Sequence, residues 1–407
     1  MANIKRPEVL APVGDFERLI AAVQFGADAV FLAGKEFGMR ASQTNFDNEQ
    51  LEQAVKYAHE NNVKVYVTVN TLPRNDEIDV LPTYLEFLQS INVDAVIASD
   101  IGVLSLIKKH TPDMEIHIST QAGIVNYQTA LSFYEMGAKR VVLARELSMQ
   151  EIAEIRRHLP DDCDIEVFVH GAMCMSFSGR CLISNYLTNR DANRGECAQP
   201  CRWGYYLVEE KRPNEYYPIF EDEKGSHILN AKDLCMIQHI DDLIKAGVTS
   251  LKIEGRAKSS YYVSVITNAY KIAVDQYMND PENFKIQDWL IEEVQKVSHR
   301  KYSTGFYYDT PTQYYENGGY TRDYDVIAIV DESKDGYLYC TQKNKFWLND
   351  QTEVLQPGDK PFDFKIEELY DDKGEPMEAA CHPLMKVKIK CDQTVKTGSI
   401  IRKQKQD

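Results

Sequence analysis

With 407 residues, a net charge of −16, 43% apolar and 27% charged side chains, the chain has the composition of an ordinary folded protein and room for two domains. That acidity excludes a protein coated in basic surface, although residues 383–407 hold seven Lys/Arg against two Asp and make a basic end. No run of eighteen apolar residues occurs and MANIKRPEVLAP has no signal-like apolar core, so the expected location is the cytoplasm, away from membrane.

In chain order, short apolar strands alternate with amphipathic helical stretches. The expected strands are EVLAP (8–12), AVFLAG (29–34), VKVYVTVN (63–70), AVIASD (95–100), EIHIST (115–120), RVVLARE (140–146), IEVFVHG (165–171) and SLKIEG (250–255). Between them, stretches such as FERLIAAVQFGA and LEQAVKYAHENN place apolar residues at helical spacing. Eight βα units predict a parallel sheet closed into a TIM-like β/α barrel, with ILNAKDL (228–234) as a candidate extra strand. Polar residues gather where these strands end: Asn70, Asp100, Ser119-Thr120-Gln121, Arg145-Glu146, His170-Gly171 and Glu254-Gly255-Arg256. Each one alone is an ordinary strand terminus. Six rims of eight together favour a ligand site at that end of the barrel.

The seventh strand breaks at His170-Gly171 into a Ser- and Gly-rich loop bearing Cys174, Cys181, Cys197 and Cys201, spaced Cys-x6-Cys-x15-Cys-x3-Cys. Nine cysteines in 407 residues predict fewer than one in a window of 28, whereas 174–201 holds four. Disulfides do not suit a reducing compartment, so metal or catalysis is the better reading. Four thiolates on a flexible loop suit an iron–sulfur cubane better than zinc, whose ligands usually pair two to four residues apart. Buried inert thiols are the third alternative. Cys235 is a further candidate that competes with Cys201, while Cys163, Cys340, Cys381 and Cys391 are scattered as packing residues are.

A helical segment over 261–278 follows, then a Tyr-rich linker near 301–323. YDVIAIVDESKDGYLYCTQ reads as a hairpin about Lys334-Asp335-Gly336, opening a small C-terminal β-barrel domain. The expected boundaries are 1–305 for the barrel, with a Cys-rich loop at 171–235, and 306–407 for the second domain. Within the latter, MKVKIKC (385–391) would turn Lys386, Lys388 and Lys390 to one face of a strand. That face is either an RNA contact or a solvated edge whose lysines discourage aggregation.

EVFVHGAMCMSFSGRC, with NRGECAQPCRW, SLKIEGR, PEVLAPVGD, STQAG and VVLAREL, closely resembles the peptidase U32 (collagenase-like) family, over essentially the whole chain. Within it the chain is most similar to the tRNA 5-hydroxyuridine synthesis (tRNA hydroxylation) branch. The resemblance implies dioxygen-independent hydroxylation of the wobble uridine of tRNA, with prephenate as hydroxyl donor. It also implies a 4Fe-4S cluster on Cys174, Cys181, Cys197 and Cys201, and partners that include tRNA and a second related subunit or electron donor. Prephenate is a dianion, for which Arg145 and Arg256 are the expected guanidinium partners, with Arg40, Arg194 and Gln121 behind them. His170 and Glu254 are the catalytic candidates, and His170 reads equally well as a satisfied loop histidine. Two alternatives stay open: a peptidase, although neither His-Glu-x-x-His nor Gly-x-Ser-x-Gly is present, and a non-enzymatic cluster or partner scaffold.

Overall fold

The computed structural model describes residues 5–38, 45–174, 181, 183–190, 192, 195–202, 221–222, 225–226, 231–309, 311 and 320–405. Arg40 and Arg194 lie outside the described residues, as does the 228–230 part of the candidate extra strand.

Eight parallel strands close a barrel: β1 (Glu8–Pro12), β2 (Ala29–Leu32), β3 (Lys64–Val69), β4 (Ala95–Ala98), β5 (Glu115–Ile118), β6 (Arg140–Val142), β7 (Asp164–Ala172) and β8 (Ser250–Ile253). Each pairs with the next, and β8 pairs with both β7 and β1, which completes the ring. Every expected strand is present, because an apolar run of four to six residues between helices has nowhere to bury both faces except a parallel sheet covered by those helices. The helices start where side chains satisfy their first N–H groups. Asp47 and Ser148 form capping boxes with Gln50 and Glu151, and Asp100 and Asn126 cap the helices that follow β4 and β5.

The barrel's N-terminal end is not apolar. Lys252 donates to Glu166 at 2.7 Å, and Arg140 bonds to Glu8 and, at 3.2 Å, to Glu166, all four linking β1, β6, β7 and β8. Burial alone would raise the Glu166 carboxyl; Lys252 and Arg140 beside it hold it below the usual carboxylate range.

The extra strand is real and shifted to Asp233–Cys235. It runs antiparallel to the end of β7, placing Cys235 opposite His170 and Asp233 opposite Ala172. The helix Ser260–Asn279 then packs along β1 and the first helix, Phe16–Gln24.

The C-terminal residues form a seven-stranded antiparallel sheet: β9 (Tyr324–Lys334), β10 (Tyr337–Gln342), β11 (Gln351–Leu355), β12 (Phe362–Lys365), β13 (Leu369–Asp371), β14 (Lys386–Lys390) and β15 (Ile400–Gln404). Their order is β12-β11-β15-β9-β10-β14-β13, a half-barrel around its own apolar core. The β9–β10 hairpin turns at Asp335 and Gly336, both with positive φ (52° and 75°), as a two-residue hairpin requires. Arg402 of β15 is fully buried where this unit meets the barrel, paired with Glu293 at 2.6 Å and Glu353 at 2.7 Å.

Candidate active site at the barrel rim

The mouth of the barrel is assembled from strand ends distant in sequence. Thr68 lies at the end of β3 and Asn70 follows it, Ser119 follows β5, Arg145 follows β6, and Glu254 and Arg256 follow β8. Asn70 donates to Ser119 Oγ at 3.2 Å. Arg256 reaches across the mouth, donating to Thr68 Oγ1 at 3.4 Å and Asn45 Oδ1 at 3.1 Å. Arg145 lies with its guanidinium 3.8 Å from the centre of the Phe168 ring, 3.8 Å from Glu254 Oε2, and donates to the Ala172 carbonyl at 3.4 Å. Arg145, Glu254 and Arg256 therefore share one end of the barrel, each at most about a tenth exposed. Gln121 sits half-buried in the turn after β5.

His170 is placed differently. Between Lys252 and Ile253 the β7–β8 register slips by one residue, and the irregularity turns the ring toward the helix Ser260–Asn279. Nδ1 lies 3.4 Å from the Tyr270 hydroxyl and Nε2 3.1 Å from the Tyr302 hydroxyl, with Tyr262 packed alongside. At 1% exposure this is a satisfied, buried histidine. Burial pushes its pKa down to about 3, and the charges of His299 and Lys258 act in the same direction. The tyrosines that surround it were not among the expected site residues. Their only trace in the sequence is that Tyr262 and Tyr270 fall eight residues apart on one helix, which brings them to the same face.

The Cys loop continues from β7. Cys174 and Cys197 are exposed, Cys181 and Cys201 half-buried, and none of the described cysteines is in a disulfide. Cys201 belongs to the turn Pro200–Arg202, which packs on the short helix Ile183–Thr188 that begins just after Cys181. Ser184 Oγ accepts the Ala198 N–H at 3.0 Å, and Cys197 Sγ accepts the Gln199 N–H at 3.4 Å. By contrast Cys163, Cys340 and Cys391 are buried. Among the described residues no three His, Cys, Asp or Glu side chains converge as metal ligands do. The donor chemistry nevertheless fits a cluster: free thiols, two of them exposed, on a loop where the Gln199 N–H reaches the Cys197 sulfur. Cys235 stands at the root of that loop, and burial pushes its thiol up to about 11.

The lysines of β14 share its outer face while Val387 and Ile389 are buried beneath. Lys386 bonds to Asp331 (3.1 Å) and Thr341 (2.6 Å), and Lys390 pairs with Asp392 (3.1 Å). Lys388 rests 3.8 Å from the centre of the Tyr337 ring.

These features define a class, a β/α-barrel protein with a charged rim and a cysteine-bearing loop, joined to an antiparallel half-barrel. The chain belongs to peptidase family U32. Residues 14–317 match the family itself (Peptidase family U32), and residues 322–402 match the Peptidase family U32 C-terminal domain. It is 38% identical over 406 residues to tRNA hydroxylation protein P1 of Bacillus subtilis (strain 168), covering 98% of this chain and 96% of that protein. Identity to tRNA hydroxylation protein P of Escherichia coli (strain K12) is 36% over 420 residues, with 92% and 91% covered. A collagenase of Porphyromonas gingivalis (strain ATCC BAA-308 / W83) is 36% identical over 315 residues, covering 75% and 74%. Among the described residues no helix is long and apolar enough to cross a membrane.

Proposed function

We propose that this protein is a tRNA-hydroxylating enzyme, acting on the wobble uridine with prephenate as hydroxyl donor. The observation that carries the reading is the near full-length similarity to proteins named for tRNA hydroxylation, in a chain whose cysteine loop opens at the barrel rim. Cys174, Cys181 and Cys197 would hold an iron–sulfur cluster with a fourth thiolate from Cys201 or Cys235. A bound cluster supplies electron transfer or a Lewis-acidic iron. The chain's own part is recognition and positioning. Arg145 and Arg256 present guanidinium groups for two carboxylates, Glu254 orients Arg145 and stands ready to exchange a proton, and His170 supports the rim as a neutral ring. The lysines of β14 meet tRNA phosphates.

A peptidase is less well served. A cysteine nucleophile needs a histidine base, and both nitrogens of His170 are engaged by tyrosine hydroxyls.

The test is anaerobic purification followed by iron, sulfide and hydroxyuridine assays with and without prephenate. Ala at Cys174, Cys181 or Cys197 should each abolish cluster and product, and the Cys201→Ala and Cys235→Ala pair identifies the fourth ligand. Full iron and sulfide in all of these variants would remove the assignment of the cluster to these cysteines. Product formed without prephenate would remove the donor.

A further inference from the structure

A cleft of about 840 Å³ opens between residues 254–262 of the barrel and the C-terminal half-barrel. Its inner end is lined by Ala172, Gln199 and Glu254, the end of β7, the cysteine loop and the rim after β8. Its outer wall includes Asp331 and Thr341 of the half-barrel. Lys386 bonds to both of these residues, so the cleft leads directly onto the lysine face of β14. There Tyr339 stands opposite Lys388 in register, its ring exposed and its centre 5.9 Å from the ammonium.

We infer that cleft and lysine face are one groove, which carries a single unpaired RNA strand from the C-terminal half-barrel to the cysteine loop. This rests on the RNA reading above and adds to it a path and a strandedness. Size argues for the strand: the volume is that of a small-molecule pocket, roughly 300–1,000 Å³, with room for a few unpaired nucleotides and none for a duplex. Chemistry argues for RNA. Single strands are held by lysines that follow the backbone and by aromatic rings that stack on bases, and the groove offers both. Lys343 and Lys405 line the cleft in long, exposed pairs, 3.7 Å from Glu17 and 3.5 Å from Asp325. Pairs of that kind hold little energy, so a phosphate displaces the carboxylate readily. In a chain of net charge −16, a polyanion needs such a local track.

The experiment measures binding of a labelled 12-nucleotide single-stranded RNA, and of the same sequence as a duplex, to the full chain across a salt series. The double variant Lys343→Glu with Lys405→Glu is compared with Lys109→Glu with Lys139→Glu, which makes the same charge change at the barrel's N-terminal end. The groove variant should bind the single strand at least tenfold more weakly and lower the salt slope by one to two, since each lost phosphate contact removes about 0.7. The control should stay within twofold, and the duplex should bind worse than the strand to wild type. If the groove variant melts early, Lys343→Gln with Lys405→Gln replaces it, with the same direction expected. A groove variant that matches the control overturns the inference, as does equal binding of duplex, or displacement of the RNA by polyglutamate at equal charge concentration. Hydroxyuridine formation is read in parallel. Product formed with wild-type KM by the groove variant sinks the groove and spares the enzyme, while groove binding without product does the reverse.

Discussion

Three tyrosines pack around His170, and that enclosure has a measurable consequence. In the unfolded chain the imidazole titrates near 6.5; in the fold burial pushes it to about 3. The unfolded state therefore takes up the proton first as pH falls. The contribution of His170 is intact above about pH 6.5 and is lost progressively toward pH 3, at up to about 1.4 kcal/mol per pH unit. His170→Gln should flatten the fall in urea-unfolding free energy between pH 7 and 5, with His117, also lowered by burial, supplying the residual slope. An unchanged slope would mean that the ring is not held neutral. The strand-end position of His170 was legible in the sequence. Its partners were not, since Tyr270 and Tyr302 lie 100 and 132 residues away and meet it only through the helix and the strand end that pack on β7.

Among the elements, β7 does most to set the site, because it carries both the barrel wall and the start of the cysteine loop. Gly171 is the hinge between them. Its φ is +109°, and a Cβ there would stand 2.3 Å from the Glu254 carbonyl oxygen. Gly171→Ala combines backbone strain with a clash against main chain, and should cost about 2–4 kcal/mol. The expected result is a lower urea midpoint and, on the cluster proposed above, loss of iron, as β7 and the end of β8 separate. Wild-type stability in Gly171→Ala would show that this approach is not needed. The strands themselves were readable because an apolar run between amphipathic helices has one solution. The shift of the extra strand to Asp233–Cys235 was not, since it pairs with the end of β7 and with Tyr302–Ser303, both set by tertiary contact.

For the molecule as a whole, the junction turns on Arg402. Its guanidinium is fully buried, takes both oxygens of Glu293 at 2.6 Å, and bonds to Glu353 and to the Tyr261 hydroxyl. Arg402→Met leaves buried Glu293 with the more distant Lys296 (3.6 Å) as its cation, which should cost up to about 3–5 kcal/mol and loosen the half-barrel from the barrel. Adding Glu293→Gln should recover part of that loss, because the stranded charge is then gone. Equal stability of the single and double variants would show that the buried charge is not what the junction depends on. Wild-type stability in Arg402→Met would remove the junction role itself.

The sequence by itself determined what local pattern can carry: eight βα units, the alternating face of β14, the hairpin at Asp335-Gly336, and the cysteine cluster as an anomaly of spacing. Each follows from periodicity or composition within a few dozen residues. Tertiary structure alone decided which charges share a site. Lys252, Glu166, Arg140 and Glu8 look like interruptions in their own strands, and only closure of the barrel brings them together at one end. The same closure brings Arg145 to Glu254, 109 positions along the chain, and docking of the half-barrel makes the cleft beside them. The reason is physical. A charge in a strand is tolerated only when a partner offsets its desolvation, and that partner is chosen by barrel register, which no short stretch of sequence contains.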